Sequence, residues 1–121
     1  MPEEILLENL NLISEAIDVI TKRFSGINAP DDLVSSEYGV LILDSVAMTL
    51  QVIGELLKKV HKGNPTLLEN YPKINWRNIM RFRDIISHHY EKVDHEIIFD
   101  ICQNNLPELK KTICTMILTV R

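Results

Sequence analysis

The stretch from Ser45 to Leu57 constrains this chain more than any other, because it is apolar on most sides. It lies inside a longer run that carries Leu33, Val34, Tyr38, Leu41, Ile42, Val46, Met48, Leu50, Val52, Ile53, Leu56 and Leu57. Spacings of three and four define a helix, and a helix that is apolar all round cannot rest on a wet surface. It must be central in a bundle or interfacial. The run from Asp31-Asp32, plausible N-cap residues, to about His61 reads as one long helix or as two joined near Gly39. Gly54 inside it costs roughly 1 kcal/mol of helix propensity. The natural reason for keeping a glycine there is the close approach of a neighbouring helix. His61 to Pro65, "HKGNP", breaks the run.

The other segments repeat the helical pattern. Ile5, Leu6, Leu10, Leu12, Ile13, Ala16, Ile17 and Ile20 predict a first helix over 3–24, ended by Gly26 and Pro30. Residues 65–74 form a connector. Asn75 is placed to cap a third helix through "INWRNIMRFRDIISHHY". Asp94 caps a last one from His95 toward Val120, broken or bent by Pro107. No strand-type alternation is sustained. Four Gly and five Pro in 121 residues leave little room for the turns of an all-β fold. The expected architecture is all-α, an up-down bundle of four or five helices forming one domain over 1–121.

Bulk composition is ordinary for a globular chain, with 45% hydrophobic and 25% charged residues. The acidic start, Met-Pro-Glu-Glu, is unlike a secretory signal. No apolar run is read as approaching the roughly 18 residues of a membrane span. The expectation is a cytoplasmic protein with no membrane partner. Cys102 and Cys114 lie twelve residues apart in a helical segment, about 18 Å along its axis. That excludes an intrachain disulfide and predicts reduced, mostly buried thiols.

The net charge of −4 is unevenly spread. Residues 1–57 carry two basic and ten acidic side chains, whereas residues 58–92 carry eight basic and three acidic. A local anion-attracting face can therefore sit on an acidic body. The same basic segment contains "RDIISHHY", Arg83 to Tyr90. It gathers an arginine, an aspartate, a serine, two histidines and a phenol within about three turns. Asp84 and His88 are i,i+4 neighbours, so the carboxylate can orient the imidazole and favour its protonated form. Arg77, Arg81 and Asp84 share another stripe. Arg83 and His88, five apart, point about 140° from each other on an ideal helix. They converge only if the helix loosens near Ser87, or if two protomers contribute them across a symmetric interface. The plain alternative is a histidine cluster at the negative end of a helix dipole. Neighbouring histidines point about 100° apart, so His88, His89 and His95 make no chelating set. No metal and no cofactor are expected.

In these residues the sequence resembles the HEPN domains of the HepT type, toxins paired with minimal nucleotidyltransferase (MNT) antitoxins. Arg83, His88 and Tyr90 occupy the fixed places of the Arg-x4-His-x-Tyr pattern. "PKINWRNIMRFRDIISHHYEKVD", "VIGELLKKV" and "LPELKKTI" resemble further parts of the family, so the likeness covers most of 44–113. Asp84 stands where many members have Asn, and His89 adds a second imidazole that blurs which histidine is the base. The resemblance implies a helical homodimer whose motif residues line a cleft between protomers, acting on RNA, mRNA or tRNA, as a metal-independent endoribonuclease. It also implies that the MNT antitoxin adenylylates Tyr90 and so silences the toxin.

The chemistry agrees in type. A neutral imidazole can take the 2′-OH proton at neutral pH, and a guanidinium can grip phosphate and steady its developing charge. His88 is then general base or acid, and Arg83 the phosphate and transition-state binder. Asp84, Ser87 and His89 are supporting candidates, with Arg77, Arg81 and Lys92 as RNA contacts. Two other readings stand beside this one. The bundle could be a non-catalytic substrate-binding or adaptor subunit of a minimal nucleotidyltransferase. It could also be a purely structural dimer, which leaves the polar cluster without a role.

Overall fold

The computed structural model describes residues 2–82, 84 and 93–120. All regular structure among them is helical, as expected. Helix α1 is Glu3–Arg23, with Glu3 and Glu4 in its first turn and Lys22 and Arg23 in its last. That placement complements the helix dipole. Leu6, Leu10, Ile13, Ile17 and Ile20 form its buried stripe at spacings of four and three. The chain turns through short 3-10 segments at Phe24–Gly26 and Pro30–Leu33 and enters α2, Glu37–Gly63.

The expectation that Asp31-Asp32 caps this helix is corrected. The cap is Ser36, whose hydroxyl accepts from Gly39 N–H at 2.9 Å. Asp32 is occupied elsewhere, because its carboxylate accepts from the backbone N–H of Asn28 at 2.8 Å and Ala29 at 3.1 Å. Gly39 therefore joins no two helices. It lies in the first turn of α2, where an added Cβ would fall 2.0 Å from the Asp32 carbonyl oxygen. Only a glycine lets the preceding turn lie that close.

Beyond the 3-10 turn Leu68–Asn70 comes α3, Trp76–Met80. The final helical rod starts as α4, His95–Asp100, passes through a π-helical stretch Ile101–Asn105, and continues as α5, Leu106–Val120. Asp94 caps it, accepting from Glu96 N–H at 3.0 Å and Ile97 N–H at 3.1 Å. The predicted break at Pro107 takes this π form. Proline has no N–H to give to the carbonyl four residues back, and the wider turn absorbs the loss.

Helix α1 packs on both α2 and α5. Cys102 and Leu106 lie beside Ile20 and Phe24, and Lys110 reaches Ser14 and Asp18, so α5 runs antiparallel to α1. Phe24 and Phe99 close that end with ring centroids 5.5 Å apart. Among the described residues the core is apolar throughout, with Leu10, Ile13, Val46, Leu50, Ile53, Leu57, Ile98 and Ile113 fully enclosed.

Helix α2 is central, as its composition requires, but only on one side. Its inward face buries Ile42, Leu43, Val46, Leu50, Ile53 and Leu57, while Tyr38, Leu41, Met48 and Val52 face solvent. The reading that no segment matches a membrane span is also corrected. By length and composition α2 passes, with an 18-residue window of mean hydropathy 1.8. Half of that window is buried inside the bundle.

Gly54 has the packing reason its position called for. A Cβ there would meet the Ile79 carbonyl oxygen at 2.8 Å. Helix α3 thus lies backbone-close on α2. Replacing Gly54 with Ala offers better helix propensity yet forces these backbones apart. We expect Gly54→Ala to destabilise by about 2 kcal/mol in a denaturant melt. A gain near 1 kcal/mol, the bare propensity difference, would refute the close approach.

Both cysteines are free, with Cys102 buried and Cys114 partly exposed. Burial pushes the Cys102 thiol up from 9.0 to about 12. Iodoacetamide at pH 8 should therefore label Cys114 in the native protein and reach Cys102 only after unfolding. Because the folded pKa lies above the unfolded one, the protonated Cys102 thiol contributes stability below pH 9. That contribution should fade as pH rises toward 12. A Cys102→Ala variant should lack this alkaline slope.

Candidate functional site

The candidate segment follows α3 in the sequence, and two local interactions fix the start of that helix. The Asn75 side-chain oxygen accepts from Asn78 N–H at 3.1 Å, the cap expected from sequence. The Trp76 indole N–H donates to the Tyr71 carbonyl at 3.0 Å, so this buried ring ties the connector to the helix. With Ile79 held on Gly54, α3 has its position and its rotation set.

Helix α3 does not run on unbroken. At Arg81 the backbone leaves helical geometry, with φ −104° and ψ 17°, and its N–H is shared between the carbonyls of Arg77 and Asn78, both at 3.1 Å. Phe82 is buried and helical, and Asp84 is helical and exposed. The uninterrupted helix read from sequence is thus corrected to one interrupted at Arg81, upstream of the Ser87 region where loosening had been anticipated.

The stripe of Arg77, Arg81 and Asp84 is partly realised. Arg81 Nε stands 3.9 Å from an Asp84 carboxylate oxygen, with both side chains mostly in water. Arg77 is exposed one turn earlier. All three are thus available to an external anion or hydrogen-bonding ligand. Arg83, Ser87, His88, His89, Tyr90 and Lys92 lie outside the described residues.

One feature beside the segment was missed by sequence reasoning. A cleft of about 350 Å³ separates α3 from the final rod. Its floor includes Ile79, Phe82 and Ile101, and Asn78, Asp100 and Asn105 stand at its rim. Asp100 and Asn105 are five apart, a spacing that an α-helix would turn about 140°. The π stretch between them brings both to one side, so α-helical periodicity could not pair them. Among the described residues no group of three or more His, Cys, Asp or Glu could hold a metal ion.

These interactions differ in what their loss should cost. Asn75→Ala removes a cap and should lower stability by about 1 kcal/mol. Arg81→Ala removes an exposed pair and should stay within about 0.5 kcal/mol of the parent chain. Parallel urea melts would separate the two; an Arg81 effect as large as the cap's would give Arg81 a structural role.

Comparison with known proteins places the chain. Residues 13–116 match the family described as "Ribonuclease HepT-like". A Methanocaldococcus jannaschii protein named "Putative RNase" is 36% identical over 52% of this chain, which spans half of that protein's length. Another from the same organism, also named "Putative RNase", is 30% identical over 78% of this chain and 80% of its own. The Thermococcus cleftensis protein named "Probable ribonuclease HepT" is 29% identical over 81% and 83% of the two chains. No solved structure matches. With a family match that runs over residues 13–116, the chain belongs to the HepT-like ribonuclease family.

Proposed function

We propose that this chain is a metal-independent endoribonuclease toxin whose working form is a homodimer. It would be held in check by a minimal nucleotidyltransferase antitoxin that adenylylates Tyr90. The observation that carries the reading is the Arg83-x4-His88-x-Tyr90 pattern within a chain of this family.

The chemistry follows from the residue types. His88 takes the proton from a ribose 2′-OH, and the freed oxygen attacks the adjacent phosphorus. Arg83 pairs with the phosphoryl oxygens and offsets the charge that builds on them. The bond to the 5′ oxygen breaks, that oxygen receives a proton, and the products are a 2′,3′-cyclic phosphate and a 5′-hydroxyl end. Asp84 orients His88, with Ser87 and His89 as neighbours able to share the role. Arg77, Arg81 and Lys92 meet the RNA backbone. The exposed state of Arg77 and Arg81 supports that use. One or more adenylates on Tyr90 add bulk and negative charge beside His88, which obstructs phosphate entry.

His88→Ala should abolish RNA cleavage and growth arrest while the melting profile stays that of the parent chain. Wild-type cleavage should persist in EDTA and leave cyclic phosphate ends. Full activity in the His88 variant would overturn the catalytic assignment. RNA left intact by the metal-free wild type would favour the adaptor role. Incubation with the nucleotidyltransferase and ATP should raise the intact mass by adenylate on the wild type and not on Tyr90→Phe.

A further inference from the structure

The cleft between α3 and the final rod has the makeup of a small-molecule site. Its volume of about 350 Å³ falls within the range of about 300–1,000 Å³ usual for such sites. Ile79, Phe82 and Ile101 give it a buried apolar floor. Asn78, Asp100 and Asn105 give it an exposed polar rim drawn from both walls. An apolar floor with a few convergent polar groups suits a flat, partly polar ring. The π stretch Ile101–Asn105 brings Asp100 and Asn105 to one side of that rim. Interruptions of this kind recur at functional sites.

The hydrogen-bonding capacity of the rim is mostly unused. Asp100 Oδ1 accepts from the Asn104 side-chain amide at 2.7 Å. That bond holds the carboxylate in place and leaves Oδ2 open. An ionised carboxylate only accepts, through two oxygens with about four lone-pair sites. Among the described residues, the side-chain amides of Asn78 and Asn105 make no hydrogen bond. Each therefore offers two N–H donors and one acceptor to a ligand.

Asp100 selects among planar ligands, because its two oxygens call for two donors side by side. Guanine carries such a pair on one edge, the ring N1–H and the exocyclic N2 amino group. Adenine and cytosine set an acceptor nitrogen beside their amino group. Uracil flanks its single N–H with two carbonyls. Each of these three would hold a lone pair against the carboxylate. The acceptors left on guanine, O6 and N7, suit the amide N–H groups of Asn78 and Asn105. A guanidinium also presents paired donors. It would leave most of the apolar floor uncovered and bring its charge toward Lys73, which lines the same cleft. Lys73 instead suits a phosphate attached to the base. Asp100 and Glu108 outnumber Lys73 in this cleft, so a bare phosphate would gain little there.

We propose that this cleft is a guanine-binding subsite. Asp100 accepts from the N1–H and N2 edge, and Asn78 and Asn105 donate to the acceptor edge. The inference deepens the ribonuclease reading and rests on it in taking the guanine as part of an RNA chain. Arg77 and Arg81 are exposed, and each precedes a cleft residue, Asn78 and Phe82, by one position. Cations for the RNA backbone thus stand next to the cleft. A base held there would fix which phosphate of the chain reaches the reacting groups.

The test uses the full chain and probes that cannot be cleaved. In an NMR titration, guanosine monophosphate should shift the side-chain amide resonances of Asn78 and Asn105. It should bind at least about tenfold more tightly than the adenosine, cytidine and uridine monophosphates. Asp100→Asn is an exposed, nearly isosteric change, so it should erase that preference while keeping the parent melt. Equal binding of the four nucleotides overturns the guanine subsite, and so does a preference that survives Asp100→Asn. Displacement of guanosine monophosphate by an equal concentration of arginine amide also overturns it and gives the cleft to a guanidinium. A 2′-O-methyl tetranucleotide with one guanine should outbind its guanine-free counterpart and compete with guanosine monophosphate. Binding of the free nucleotide alone overturns RNA as the source of the base. RNA cleavage is read separately. A wild type that cleaves RNA yet binds no guanine loses this subsite and keeps the ribonuclease reading. One that binds the guanine tetranucleotide yet leaves RNA intact keeps the subsite and loses the ribonuclease reading.

Discussion

The contact between Gly54 and the Ile79 carbonyl fixes α3 against the body of this protein. Helix α2 is the core's main beam, and α3 is too short, at Trp76–Met80, to hold its own direction. Its placement comes from outside, through a missing side chain on α2, the Trp76 anchor and the Asn75 cap. Arg77 and Arg81 are therefore held at a height and rotation that the core dictates. Packing in proteins behaves as fitted solid, so a displacement at this contact would be passed on to them.

Helix α2 carries opposite demands on its two sides. One side supplies Val46, Leu50, Ile53 and Leu57 to the core, and the other exposes Tyr38, Leu41, Met48 and Val52. Its apolarity on both sides gives it membrane-like hydropathy while half its apolar window is buried in the bundle. The acidic first half and basic second half of the chain's early segments, which at first sight only complicate an argument about RNA, also give this helix a polarity along its length. A basic face near α3 can attract phosphate on a body whose total charge is negative.

Much of this was legible in the sequence because the signals were local and strong. Helix existence followed from apolar spacing, Asn75 and Asp94 from cap chemistry, and the role of Gly54 from the improbability of a glycine there. The family followed from the pattern of Arg83, His88 and Tyr90. Other features were hidden for physical reasons. Ser36, rather than the two aspartates, caps α2 because Asp32 bonds backward to Asn28 and Ala29, a preference that depends on how the turn folds. The two faces of α2 could not be ranked, since both are apolar and only tertiary packing decides which is covered. The loosening at Arg81 follows no breaker residue. Of the candidate site, the Arg81 and Asp84 pairing was readable from spacing, and the cleft beside Phe82 was not.

The π stretch at Ile101–Asn105 makes the final rod one continuous helix with two rotational frames. Ile101 and Leu106 both face the core although five residues separate them. A perfect α-helix would have swung the later frame away by more than a third of a turn. The extra width thus acts as a phase adjuster, letting α4 serve the Asp94 end and α5 serve α1 without compromise between them. A chain that lost one residue in this stretch could regain a plain α-helix and keep both faces buried, while the same loss anywhere else in the rod would turn one of them outward. Length variation among related chains should therefore be tolerated here and resisted on either side.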